Sequence, residues 1–173
     1  MRIVVFVILV IALVFLLFDF NATAQAGEEL GLQGWMLLKC PARPNCVCSE
    51  QQDDIDHYIE PIPLPQDITF DPVSLLKDVI QEMGGEVRVA NDTYLAATFT
   101  SAIFRFVDDL EIRIDFTRKV IHLRSASRVG YSDLGVNRNR SEVLRKKVND
   151  RFLKMGHPTE TTSVTHDGTP VDQ

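Results

Sequence analysis

The chain lacks the marks of the familiar catalytic routes. It has no G-x-x-x-x-G-K-[ST], no G-x-G-x-x-G after a strand, no H-E-x-x-H and no G-x-S-x-G, so nothing in it points to a phosphate cradle, a dinucleotide turn, a zinc-protease helix or a nucleophile elbow. It also lacks a basic excess: 18 lysines and arginines against 24 acids give a formal net charge of −6. That balance argues against nucleic acid as a partner. Cysteine is scarce, with three in 173 residues. Cys40, Cys46, Cys48 and His57 offer no C-x₂₋₄-C pair, the spacing by which two thiolates of one turn reach a tetrahedral zinc ion. Neither a metal nor a cofactor is expected. Residues 157–173 contain five threonines and no leucine, isoleucine or phenylalanine, and a segment from 156 onward is expected to be disordered.

What the chain has at its start is the reverse, an unbroken apolar run from Ile3 to Phe18 with Arg2 before it and Asp19, Glu28 and Glu29 after it. A buried core helix would need a polar face or a cap, and this run has neither. It reads as a membrane-targeting helix within residues 1–26, its length falling between the apolar core of a signal peptide and a full span of about 20 residues. Ala22-Thr23-Ala24 and Ala24-Gln25-Ala26 both suit a signal peptidase, so cleavage and retention stay open. The charge bias keeps the N-terminus in the cytoplasm. Either outcome exports the domain, leaving it periplasmic or membrane-anchored in the cell envelope.

An exported domain meets an oxidising compartment, where neighbouring thiols pair. Cys40 with Cys46 is the expected bridge, turned by Pro41 and Pro44, because Cys46 with Cys48 would be badly strained. Cys48 is left to be buried, reactive or used between chains. Residues 27–39 read as a linker in which Trp35-Met36-Leu37-Leu38 docks on the core or, as the alternative, on the bilayer surface, and Gln51 to Thr69, with its IEPIPLP, as an extended arm wrapping the domain.

Residues 40–155 read as one α+β domain, an antiparallel sheet of about four strands packed with two helices. Asp71-Pro72 opens the first helix, whose Leu75, Leu76, Val79, Ile80 and Met83 share a face before Gly84-Gly85 stops it. The period then becomes two. Val87 to Ala90, an Asn91-Asp92 turn and Tyr94 to Thr100 make one hairpin. A long bent strand from Ile103 to Asp115 turns at Thr117-Arg118 into another. Symmetric pairing there sets Ile114 against Ile121 and Ile112 against Leu123 inside, and Glu111 against Arg124 and Arg113 against His122 outside. The same register turns Asp108 inward opposite Ser127, where a carboxylate needs donors or a cation. After a loop from Gly130 to Asn139, Leu144, Val148, Phe152 and Met155 stripe a last helix from Arg140 to Met155, with Asn139 and Glu142 as a capping box.

The densest polar segment is RSASRVGYSDLGVNRNR, Arg124 to Arg140. Its candidate site residues are Arg124, Ser125, Ser127, Arg128, Tyr131, Asp133, Asn137 and Arg138, joined across the hairpin by Asp108, Asp109 and Glu111. Two roles fit: acids and guanidiniums that neutralise one another and lock the loop, or a pocket whose arginines take an anionic ligand or an envelope protein. Asp108 and Asp109 are adjacent on a strand and point to opposite faces, so they form no catalytic pair, and no catalytic residue is assigned. The alternative is a small hydrolase or transferase using Asp108 or Asp133 as base.

CPARPNCVCSE at Cys40, YLAATFTSAIFRFVDDLEIRID at Tyr94 and IHLRSASRVGYSDLGVNRNR at Ile121 resemble the uncharacterised bacterial family catalogued as domain of unknown function 1499. The resemblance covers about residues 40–152 and implies export or membrane attachment but no reaction. The family pattern places a serine where Cys48 stands, which supports Cys40 with Cys46 as the pair.

Overall fold

A computed structural model of the protein describes residues 5–12 and 30–156. Residues 5–12 are helical (α1) and exposed. Among the described residues no helix is long and apolar enough to cross a membrane. Both candidate cleavage sites, and the tail from residue 157 on, lie outside the described residues.

The domain is mixed α/β, built on a six-stranded antiparallel sheet rather than about four strands. Four strands were legible by alternation: β5 Glu86–Ala90, β6 Tyr94–Thr100, β7 Val107–Asp115 and β8 Val120–Ser127. The other two come from the cysteine segment (β3) and from the wrapping arm (β4). β3 Cys46–Cys48 pairs with residues 124–126 of β8, and β4 Ile62–Pro63 pairs with residues 120–121 of the same edge. Strands of two or three residues are too short to show a period, and Pro63 is tolerated because it sits at a sheet edge. The order is β3-β8-β7-β6-β5, with β4 beside β3 on β8.

The β7–β8 register is the one the alternation predicts: Ile114 opposite Ile121, Ile112 opposite Leu123, Glu111 opposite Arg124, Arg113 opposite His122 and Asp108 opposite Ser127. Leu95, Ala97, Leu110, Ile112, Ile121 and Leu123 face α2 (Pro72–Glu82) and α3 (Val136–Gly156) in one core. Asp71 caps α2, accepting from the Val73 and Ser74 amides at 2.9 and 3.2 Å. Leu144, Val148 and Phe152 pack from α3, and the Phe152 ring lies 5.5 Å from that of Phe70.

Several expectations are corrected. The opposite sheet face is not open to solvent. His122, Arg124 and Glu111 are all buried there, because the 30–50 segment folds across it and contributes Leu37, Cys40 and Cys48 to a second apolar cluster with Tyr94 and Ala96. Within the expected linker, β1 Leu32–Gln33 and β2 Met36–Leu37 form a hairpin that buries Leu37 and leaves Trp35 and Met36 exposed. β7 starts at Val107 and not at Ile103. Residues 101–106 close on themselves through the Ser101 amide to the Phe106 carbonyl and the Phe106 amide to Ser101 Oγ, leaving Ile103 and Phe104 exposed. α3 starts at Val136, four residues before Arg140, because Asp133 and not Asn139 receives the amides of the first turn; Met155 lies outside its buried stripe.

Candidate functional site

The alternation of β7 and β8 divides the polar constellation between two sheet faces. Asp108, Ser125 and Ser127 point toward the helices, and Asp109, Glu111, Arg124 and Arg128 toward the 30–50 arm. The residues converge on one end of the sheet but not on one surface.

On the helix side, α3 brings Arg140 onto Asp108 at 2.6 Å, and this guanidinium also donates to Ser125 Oγ at 3.1 Å and Asn137 Oδ1 at 2.6 Å. Its Cζ stands 4.6 Å from the centre of the Phe99 ring. Asn137 Nδ2 donates to the Asn45 carbonyl at 3.1 Å, Ser127 Oγ at 2.9 Å and Asp133 Oδ2 at 2.7 Å. Asp133 also accepts the amides of Gly135 at 2.9 Å and Asn137 at 2.7 Å. Both carboxylates considered as bases are therefore bound by donors. Such charge-assisted contacts fix both side chains in place.

On the arm side, Glu111 is fully buried, with 0% exposure. Its Oε2 accepts from Arg124 Nη1 at 2.9 Å, while Oε1 accepts the Tyr94 hydroxyl at 2.6 Å and the Gly31 amide at 2.9 Å. Burial, then the bond to Glu111, pushes the Tyr94 phenol far above its ordinary value, so it stays a donor. Arg128 holds Asp109 through two bonds of 2.8 Å. Further along the face, Arg113 Nε donates to Glu50 Oε1 at 2.7 Å, and Glu50 Oε2 accepts the Leu37 amide at 2.6 Å. Sequence reasoning missed Glu50 and Arg140 as partners. Glu50 comes from an arm without periodicity, whereas Tyr94 could have been found by extending the β6 parity.

Arg138 leaves the cluster and donates to the backbone carbonyls of Tyr58 and Asp56 at 2.9 and 2.7 Å, and Tyr131 is 71% exposed. Tyr131, Asp133 and Arg138 border a cleft of about 550 Å³ with Arg43, Asp56 and His57. His57 is clamped between Asp54 (2.7 Å) and the Arg43 carbonyl (2.9 Å). Burial works to lower its pKa, but the bonds to Arg43 and Asp54 outweigh it and hold the imidazole above its usual value. Among the described residues no group of histidines, cysteines or acids is placed to hold a metal ion.

A smaller cleft of about 180 Å³ opens at the end of the arm-side face, where the 40–46 segment meets the end of β8. Arg43, Arg124 and Arg128 line it with Asp109 as the single carboxylate, and the Asn45 side chain borders it with a buried Oδ1 that has no partner among the described residues. The Cys40–Cys46 disulfide holds this segment in its turn. Cys48 is a free, buried thiol pushed up to about 11, chiefly by burial.

The family model described as "Protein of unknown function (DUF1499)" matches residues 36–148. The chain belongs to the DUF1499 family. The DUF1499 match runs from β2 into α3 and so takes in both sheet faces and all residues bordering the small cleft. No curated protein matches the chain.

Proposed function

We propose that this DUF1499 protein is an exported or membrane-anchored module of the cell envelope that binds and does not catalyse, holding an anionic group of a ligand or partner protein at the 180 Å³ cleft. The observation that carries this reading is the charge of the lining, three guanidiniums against one carboxylate. Even with Glu111 counted against Arg124, one positive charge remains, and Arg43 supplies it without an ion pair among the described residues. The apolar run at Ile3 to Phe18 and its flanking charges support export, and the disulfide agrees with an oxidising compartment.

The hydrolase or transferase reading has less support, since Asp108 is occupied by Arg140, and Asp133, although it borders a cleft, is occupied by two amides and Asn137.

Thermal unfolding with orthophosphate, sulfate and citrate, against chloride at matched ionic strength, tests the proposal. At least one of these anions should raise Tm with the logarithm of its concentration above Kd, by an amount equivalent to about 2.7 kcal/mol at a hundredfold excess over Kd. Arg43→Ala should abolish the rise with little change in the ligand-free Tm. No anion-specific shift, or a shift that survives Arg43→Ala, would contradict it.

A further inference from the structure

At the opposite end of the arm-side face lies a separate cleft of about 600 Å³, within the size range of small-molecule sites. One wall is the β1–β2 hairpin, whose two-residue turn is Gly34-Trp35, with Gly34 at φ +66° in the conformation that glycine favours there. Nothing in this turn requires an aromatic. Yet its second position holds the only tryptophan of the chain, 87% exposed and bordering the cleft.

The opposing wall is polar, with Arg113, Asp115, Arg118 and His122 among its residues. His122 is 8% exposed. Its Nδ1 lies 3.2 Å from Ser49 Oγ, which itself accepts the Leu123 amide at 2.9 Å. Its Nε2 is buried and has no partner among the described residues. That nitrogen is closed off from the cleft, so the ring shapes the wall and offers it no hydrogen bond. Arg113 is engaged by Glu50 and Asp115, whereas Arg118 has no ion pair among the described residues. Counting Glu50 and Asp53, the lining has two cations against three carboxylates, so an anion is disfavoured here.

An exposed tryptophan face beside donors and acceptors in near balance suits a ring with one apolar face and several hydroxyls. A hydroxyl both donates and accepts, so it pairs with the Arg118 guanidinium and the Asp115 carboxylate alike. We infer that this cleft binds a neutral sugar ring, stacked on Trp35 and hydrogen-bonded to Asp115 and Arg118.

Because Trp35 is the sole tryptophan, its emission reports directly on the site. The full chain, solubilised in detergent if its apolar segment is retained, is titrated with glucose, N-acetylglucosamine and its β-1,4-linked dimer, with glycerol as a hydroxyl control without a ring. Vesicles of phosphatidylethanolamine and phosphatidylglycerol form a separate arm. At least one ring sugar should change the emission saturably at millimolar concentration while glycerol does not, and Arg118→Ala, at an exposed turn, should weaken that response about tenfold. Trp35→Ala, followed by saturation-transfer NMR on the sugar, should lose the contact. Arg43→Ala should leave it intact, which separates this site from the anion cleft. The absence of any response particular to ring sugars overturns the inference, and a blue shift on vesicles without one would reassign Trp35 to a lipid surface.

Discussion

His122 and His57 give the fold two pH dependences of opposite sign. Burial lowers His122 against the pull of Glu50, so its contribution is complete above the ordinary imidazole value of 6.5 and is lost as pH falls below it. His57 is raised, so its contribution is complete below 6.5 and is lost as pH climbs through its elevated value. Denaturant midpoints measured from pH 5 to 8 should therefore separate the two. His122→Gln should flatten the acid-side loss, and His57→Gln should flatten the loss on the neutral side. An unchanged profile in both variants would contradict these assignments. Cys48 tests the same environment with a different reagent. Buried and pushed up to about 11, it should resist alkylation at pH 8 in the folded, oxidised protein and react as one thiol per chain once unfolded. Rapid labelling of the native protein, counted by mass spectrometry, would show that the arm opens.

At the scale of elements, α2 ends before Gly84, whose φ of +83° turns the chain out of the helix, and Gly85 then passes close against β6. A Cβ at Gly85 would lie 2.6 Å from Phe99 Cζ and 2.7 Å from Ile80 Cγ2. Gly85→Ala should therefore lower stability by about 1 to 3 kcal/mol, the cost of overpacking. Equal denaturant midpoints for Gly85→Ala and the unaltered protein would refute that. The elements legible in the sequence are those with their own period. Alternation in Leu110, Ile112 and Ile114 and in Ile121 and Leu123 set the hairpin register residue by residue. Helical spacing and the Asp71 cap did the same for α2. β3 and β4 were illegible because their places are decided by the free edge of β8 and not by any pattern of their own. The start of α3 was misplaced because Asn139 fits the local pattern of a cap, whereas the tertiary contact of Asn137 with Asn45 and its bond to Asp133 draw the helix start back to Val136. The candidate site was legible as a list of side chains. Its division between two faces follows from strand parity, but the partners Arg140 and Glu50 arrive from elements whose docking leaves no local trace.

Across the whole molecule, the arm converts a sheet face that reads as solvent-exposed into a buried ionic seam. Asp109 with Arg128, Glu111 with Arg124 and Glu50 with Arg113 run along it in order, between the Arg43 cleft at one end and the Trp35 cleft at the other. Burying charge is costly unless each ion keeps its partner, so the seam specifies how the arm must lie more than it adds net stability. Its centre is the Glu111–Arg124 pair, closed over by Tyr94 and the Gly31 amide.

A double-mutant cycle on that pair, Glu111→Gln, Arg124→Met and the two together, followed by equilibrium unfolding, tests the buried seam most directly. Each single change should cost about 3 to 5 kcal/mol by leaving a charge without its partner. The double change should recover about 2 kcal/mol or more of the summed cost. Losses that simply add, with each near the 1 kcal/mol or less typical of exposed pairs, would mean that the arm does not bury this face.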